Sequence, residues 1–113
     1  MSDRRRHDHE LEALVRIGES LIHGTGLFAA CDIAAGSYIG TFHGPETDSD
    51  GGHVLWVYEH PKDTEPVGRQ GENLLRFLNH AVPSNAEFDG FDLYARRPIV
   101  AGEEITIDYE GVA

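Results

Sequence analysis

From Leu11 onward the apolar positions of this chain fall in short runs of roughly four to six residues, rich in β-branched and aromatic side chains and closed by turn residues. Runs that short read as strands rather than amphipathic helices. They predict strands near Leu14–Ile17, Gly26–Ala30, Tyr38–Phe42, Val54–Tyr58, Phe91–Ala95 and Ile105–Tyr109. The breaks between them are marked by Ala35-Gly36, Gly51-Gly52, Asp89-Gly90 and Ala101-Gly102. Asp89-Gly90 lies between Ala86-Glu87-Phe88 and Phe91-Asp92-Leu93, and both of its residues tolerate positive φ, so it predicts a two-residue hairpin turn. Two stretches, 43–52 and 60–72, are polar and long for so small a chain, which predicts loops. After the second, Leu74, Leu75 and Leu78 take near-helical spacing and predict one short helix or 3₁₀ turn over Asn73–Asn79. Finally, Ile33-x-Ala35-Gly36-x-x-Ile39 recurs as Ile99-x-Ala101-Gly102-x-x-Ile105, suggesting two similar hairpin units in one sheet system.

Composition agrees with a mainly β reading and bounds it. A chain of 113 residues, 40% hydrophobic with thirteen glycines and five prolines, can bury one modest core and must turn often. The segment Met1 to Glu10 has almost nothing to bury and is expected to be a flexible tail, leaving residues 11–113 as a single domain. Charge narrows the partners. Twenty acidic against nine basic side chains, a net −11, argue against direct nucleic-acid binding, which needs clustered Lys and Arg. Such a field either draws in a basic partner such as a lysine-rich peptide or simply keeps the surface soluble. The lone Cys31 excludes an internal disulfide, and no window is apolar for long enough to cross a membrane or serve as a signal peptide. A soluble, reducing, intracellular setting is the default expectation. His7-x-His9 cannot complete a coordination shell by itself, and His23, His43, His53 and His60 show no ligand spacing, so no metal site is expected.

Three clusters remain as candidates for chemistry. Gly24-Thr25-Gly26-Leu27-Phe28-Ala29 formally meets the dinucleotide fingerprint, but no helix can open on it before Asp32-Ile33-Ala34-Ala35-Gly36 closes the segment, so a Rossmann site is rejected. The glycine pair then serves either close backbone approach to a ligand or a tight turn. The second cluster, Arg76-Phe77-Leu78-Asn79-His80-Ala81-Val82-Pro83-Ser84-Asn85, offers two amides in turn-like contexts and an imidazole. The third, Gly102-Glu103-Glu104-Ile105-Thr106-Ile107-Asp108-Tyr109, is a turn leading into a strand that ends in a tyrosine.

In this order the three clusters resemble the motifs of the SET-domain family of protein-lysine methyltransferases: G-x-G-x-F/L-A, then R-F-x-N-H-S-C-x-P-N, then G-E-E-L/I-T-x-D-Y, over roughly Ile17 to Glu110. The third is met in full. The resemblance implies a SET-type β-clip fold of short strands in small sheets, with a threaded, pseudoknot-like C-terminal segment. It also implies an enzyme that uses S-adenosylmethionine to methylate the side-chain amine of a lysine in a histone-like or other basic protein. By the same resemblance Gly24, Thr25, Gly26, Leu27, Phe28, Arg76, Phe77, Asn79 and His80 bind the cofactor, Asn79 at its amino-acid end and the His80 backbone at its adenine. Tyr109 becomes the catalytic residue, its hydroxyl beside the transferred methyl. Tyr38, Trp56, Tyr58, Phe91 and Tyr94 are candidates for an aromatic substrate channel, with ordinary core packing as the competing reading of each.

The chain departs from the family pattern at Ala81-Val82, where Ser-Cys is usual, and in its displaced proline, Pro83-Ser84-Asn85. The first departure favours an alternative, a catalytically weak or inactive SET-like module that binds basic peptides. Because the chain ends four residues after Tyr109, one wall of the lysine channel is expected to come from a loop, a partner subunit or the substrate, and the short C-terminus leads to the expectation of a homodimer. A cytoplasmic setting, or a nuclear one, is compatible with all of this.

Overall fold

The computed structural model describes residues 10–48, 53–58 and 65–108. Residues 10–14 form a helical turn that seats Leu11 in the core, against the bare backbone of Gly40. The rest is short strands in small sheets. β1 (Val15–Glu19) and β2 (Thr25–Ala29) form an antiparallel hairpin with Val15 opposite Ala29 and Glu19 opposite Thr25. β3 (Tyr38–Thr41), β8 (Ala86–Asp89) and β9 (Asp92–Ala95) make a sheet in the order β3-β9-β8, with an irregularity between Tyr38 and Gly40. β4 (Glu46–Thr47), β5 (Val54–Val57) and β6 (Val67–Gln70) make another, in the order β4-β6-β5. A 3₁₀ turn, Leu74–Phe77, leads into β7 (Asn79–His80), which pairs in parallel with β10 (Thr106–Ile107). Alternation explains the strands that the sequence announces. Leu55 and Val57 in β5, and Leu93 and Ala95 in β9, point inward and are buried, while the residues between them are partly exposed.

Three strands lie where polar loops or a helix were expected: β4, β6 and β7. β6 carries one apolar residue, Val67, and is assembled by its neighbours. A Cβ on Gly68 would meet the Trp56 ring at 2.8 Å, so the indole lies directly over β6, and Arg69 stacks its guanidinium 3.8 Å from the Phe91 ring and donates to the Phe42 carbonyl at 3.0 Å. The β8–β9 hairpin turns one residue later than expected. Asp89 pairs with Asp92, leaving Gly90 at φ +63° and Phe91 as the central residues. This shift lets the Phe91 carbonyl accept the Phe42 N–H at 2.8 Å and buries the ring.

The repeated Ile-x-Ala-Gly motif proves to be a repeat of structure. Ile33 and Ile99 exchange both backbone hydrogen bonds, at 2.7 and 2.8 Å. Around that bridge the contacts run in matched pairs. Gly36 N–H donates to Ala95 and Ala95 N–H to Ser37, while Gly102 N–H donates to Ala29 and Ala29 N–H to Glu103. Gly36 and Gly102 sit at φ +81° and +90°, the left-handed region that glycine enters freely. Ile33, Ile39, Ile99 and Ile105 are all buried. The match extends further back, with Leu27-Phe28-Ala29 of β2 standing to the first turn as Leu93-Tyr94-Ala95 of β9 stands to the second. Residues 104–107 bond on both sides, Glu104 bridging to Phe28 and Thr106–Ile107 pairing with β7.

Candidate functional site

Between β1 and β2 the chain turns through Ser20 to Gly24. The Ser20 hydroxyl oxygen accepts the N–H groups of Ile22 (2.9 Å) and His23 (3.2 Å), and Ser20 N–H donates to the Gly24 carbonyl at 2.8 Å. The two glycines of the first motif then have different reasons. Gly24 is at φ +45°, and a Cβ added there would meet nothing within 4 Å, so conformation alone selects it. Gly26 lies outside the left-handed region, but a Cβ there would collide with the Glu104 carboxylate and stand 3.0 Å from Ser20 Cβ. Glycine at this point leaves the space to a carboxylate of the third motif.

In the second motif the 3₁₀ turn holds Arg76 folded back on itself. Its guanidinium donates to the carbonyls of Glu72 (3.0 Å) and Asn73 (2.8 Å) and lies 4.4 Å from the Phe77 ring. Asn79 Nδ2 shares its two hydrogens among three acceptors: His23 O at 3.0 Å, Thr25 O at 3.2 Å and Glu104 Oε2 at 2.9 Å. One side-chain amide thus touches all three motifs. Asn85, 2% exposed, ties the second motif to the third independently. Its Nδ2 donates to Glu104 O at 2.7 Å, and its Oδ1 accepts Thr106 N–H at 2.8 Å. His80 Nδ1 stands 3.9 Å from Asp108 Oδ1. Tyr109 follows Asp108 and lies outside the described residues, as do His7, His9 and His60.

A cleft of about 680 Å³ opens at this junction, lined by residues 22–25, by His53 and Val54, and by residues 76–80. That size falls in the range of small-ligand sites, roughly 300–1,000 Å³. Of the expected cofactor residues, Gly24, Thr25, Arg76, Phe77, Asn79 and His80 line it; Gly26, Leu27 and Phe28 stand behind, Leu27 fully buried and Phe28 under Arg16. Although the chain carries a net charge of −11, the described lining residues include Arg76 and three histidines and no carboxylate. His53 was not among the expected binding residues. It sits at φ +64°, donates from Nδ1 to the Arg76 carbonyl at 2.8 Å, and sets its ring edge-on to Phe77 at 5.9 Å. The Gly51-Gly52-His53 turn entering a strand was its only signal, histidine being among the few side chains that tolerate that backbone region.

The five aromatic candidates lie elsewhere. Tyr38 and Tyr94 pack edge to face at 5.7 Å on the β3-β9-β8 sheet, Trp56 covers Gly68, Phe91 stacks on Arg69, and Tyr58 is 40% exposed just past β5. None lines the cleft. Burial pushes the Tyr38 hydroxyl above its ordinary pKa; its hydrogen bond to Thr41 works against this and the charge of Asp92 adds to it. Neither Ala81 nor Val82, the residues that depart from the family pattern, lines the cleft either; Val82 is 70% exposed and Ala81 N–H continues the β7–β10 ladder by donating to Ile107 O. Among the described residues no group of three His, Cys, Asp or Glu could hold a metal ion, and no helix is long and apolar enough to cross a membrane.

The glycine turn and the asparagine-histidine strand line one cleft, and the glutamates of the third motif are bonded behind them. A sequence model of the SET domain matches residues 24–110, and the chain belongs to the SET-domain family. Among solved structures it is similar to the methyltransferase domain of human PR domain-containing protein 2, with 21% identity over 88% of this chain and 81% of that one and a TM-score of 0.65. It is also similar to the Neurospora SET domain protein DIM-5, a histone lysine methyltransferase, at 18% identity and a TM-score of 0.65, covering 84% of this chain and 51% of that one, about half its length. No curated protein matches the sequence.

Proposed function

We propose that this chain binds S-adenosylmethionine in the cleft and methylates a lysine side chain of a basic protein or peptide. The observation that carries the reading is the Asn79 amide in the wall of the cleft, bonded to the carbonyls of His23 and Thr25 in the glycine turn and to Glu104 of the third motif behind it. The donor set fits the cofactor. Rings of Phe77 and His53 suit a planar base, and a cleft bearing Arg76 and histidines without carboxylates suits a ligand that ends in a carboxylate. When bound, S-adenosylmethionine supplies an electrophilic methyl group on a sulfonium.

The chain's own part is to hold the reactants in line and exclude water. The attacking lysine must be neutral, and an apolar channel lowers an ammonium's pKa by desolvating its charged form. Tyr109, carried over from the family's third motif, orients the incoming nitrogen with its hydroxyl. Of the aromatic candidates Tyr58, 40% exposed, has the most open ring for an approaching cation, whereas the Phe91 face is already taken by Arg69. The acidic surface favours basic partners.

Titration calorimetry should detect S-adenosylmethionine binding in the micromolar range, and no heat would remove the proposal. Tyr109→Phe should lower methyl transfer to a lysine peptide about a hundredfold while changing cofactor affinity little. A wild-type chain that binds cofactor and basic peptides but transfers no methyl would instead be a binding module of the same fold.

A further inference from the structure

We infer that Glu104 is a positioning residue that sets the shape of the cleft wall through Ser20 and Asn79, an inference that rests on the cofactor reading of the cleft. Glu104 does not line the cleft. Its carboxylate accepts the Ser20 hydroxyl at 2.8 Å on both oxygens and the Asn79 amide at 2.9 Å on Oε2. With its proton committed to the carboxylate, the Ser20 oxygen presents lone pairs to the N–H groups of Ile22 and His23. Asn79, anchored from the same carboxylate, presents its amide to the carbonyls of His23 and Thr25. Residues 22–25, which form one wall of the cleft, are therefore gripped on their N–H side by Ser20 and on their C=O side by Asn79. Both grips begin at Glu104.

A carboxylate suits this place better than an amide for a chemical reason. Ser20 and Asn79 both point donors at it, and charge-assisted bonds of this kind are roughly twice as strong as neutral ones. A glutamine would offer one oxygen and turn an NH₂ toward a donor. Gly26 completes the device, because any side chain there would displace the carboxylate. The second glycine of the first motif and the second glutamate of the third are thus two halves of one contact. Had Glu104 been a surface residue of the turn, its carboxylate would face solvent as a solvated charge; instead its hydrogen-bond partners lie 25 and 84 residues away in sequence.

The test has three readouts. Glu104→Gln and Ser20→Ala should each raise the dissociation constant and the KM for S-adenosylmethionine about tenfold, equivalent to about 1.4 kcal/mol, while turnover at saturating cofactor changes less than twofold. In the chain without cofactor, both should accelerate hydrogen exchange at the Ile22 and His23 amides and leave exchange in β9 unchanged. Gly26→Ala should destabilise the fold, and adding Glu104→Ala should recover stability without recovering affinity. If the wild-type chain binds no cofactor, the functional reading falls while exchange and the Gly26/Glu104 pair still decide the positioning role. Unchanged exchange at Ile22 and His23, or additive losses in the double variant, would overturn it.

Discussion

Residues 27–39 and 93–105 follow one backbone plan, and they part company at the residue just after each turn. Tyr38 and Glu104 occupy matching places, opposite Tyr94 and Phe28 respectively. Tyr38 closes on its own sheet, its ring on Tyr94 and its hydroxyl on Thr41, which in turn bonds Asp92 at 2.6 Å. Glu104 reaches out of its sheet to Ser20 and Asn79. The frame is set by small and apolar residues common to both halves, while the difference in role comes from one side chain mounted on it.

The sharpest way to break this comparison is in the shared core. Ile39 and Ile105 are both fully buried, so Ile39→Ala and Ile105→Ala should each cost about 2–5 kcal/mol in urea unfolding, and by similar amounts. A large inequality would mean that the halves only look alike. Next come the turns. At Gly36 and Gly102 a Cβ would meet nothing within 4 Å, so alanine there costs only the strain of positive φ, about 1–3 kcal/mol at each. Thermal melts should place the two variants together.

The smallest effect is in the pH response, where the halves should separate. The Arg97 guanidinium, 2.6 Å from Glu103, holds that carboxyl below its ordinary value of 4.5, with Val100 N–H and Asn85 adding. Its contribution to stability is present above pH 4.5 and is lost as pH falls through the lower folded value. Tyr38 is the reverse case. Its folded pKa is raised above 10.0, so its contribution is complete below pH 10 and lost as pH rises through the folded value. Arg97→Met should flatten the acid limb of a stability–pH profile and leave the alkaline limb in place; the Arg97–Glu103 pair is open to solvent, so the change will be small.

What the sequence made legible followed from local physics. Alternating Leu93 and Ala95, the glycine turns and the three motifs in order all report residues acting on near neighbours or on the frame they share. β6 escaped because its strand character belongs to Trp56, Arg69 and Phe91 together and not to Val67-Gly68-Arg69-Gln70 alone. The hairpin turn slipped by one because the Phe42 N–H selects the Phe91 carbonyl, a contact no dipeptide preference contains. In the same way, the spacing of Gly24 and Gly26 pointed to a tight approach without revealing that a glutamate 84 positions beyond Ser20 was what approached.

The parallel ladder between β7 and β10 has a consequence for biosynthesis. Residues 104–107 are among the last of the described chain to leave the ribosome, yet the glycine loop made near the start and the asparagine strand made later both wait for them. Until that segment emerges, the earlier strands can pair, but the walls they contribute have nothing to lock them in register. In a nascent chain the glycine loop and the asparagine strand should therefore stay unlocked until residues 104–107 have emerged.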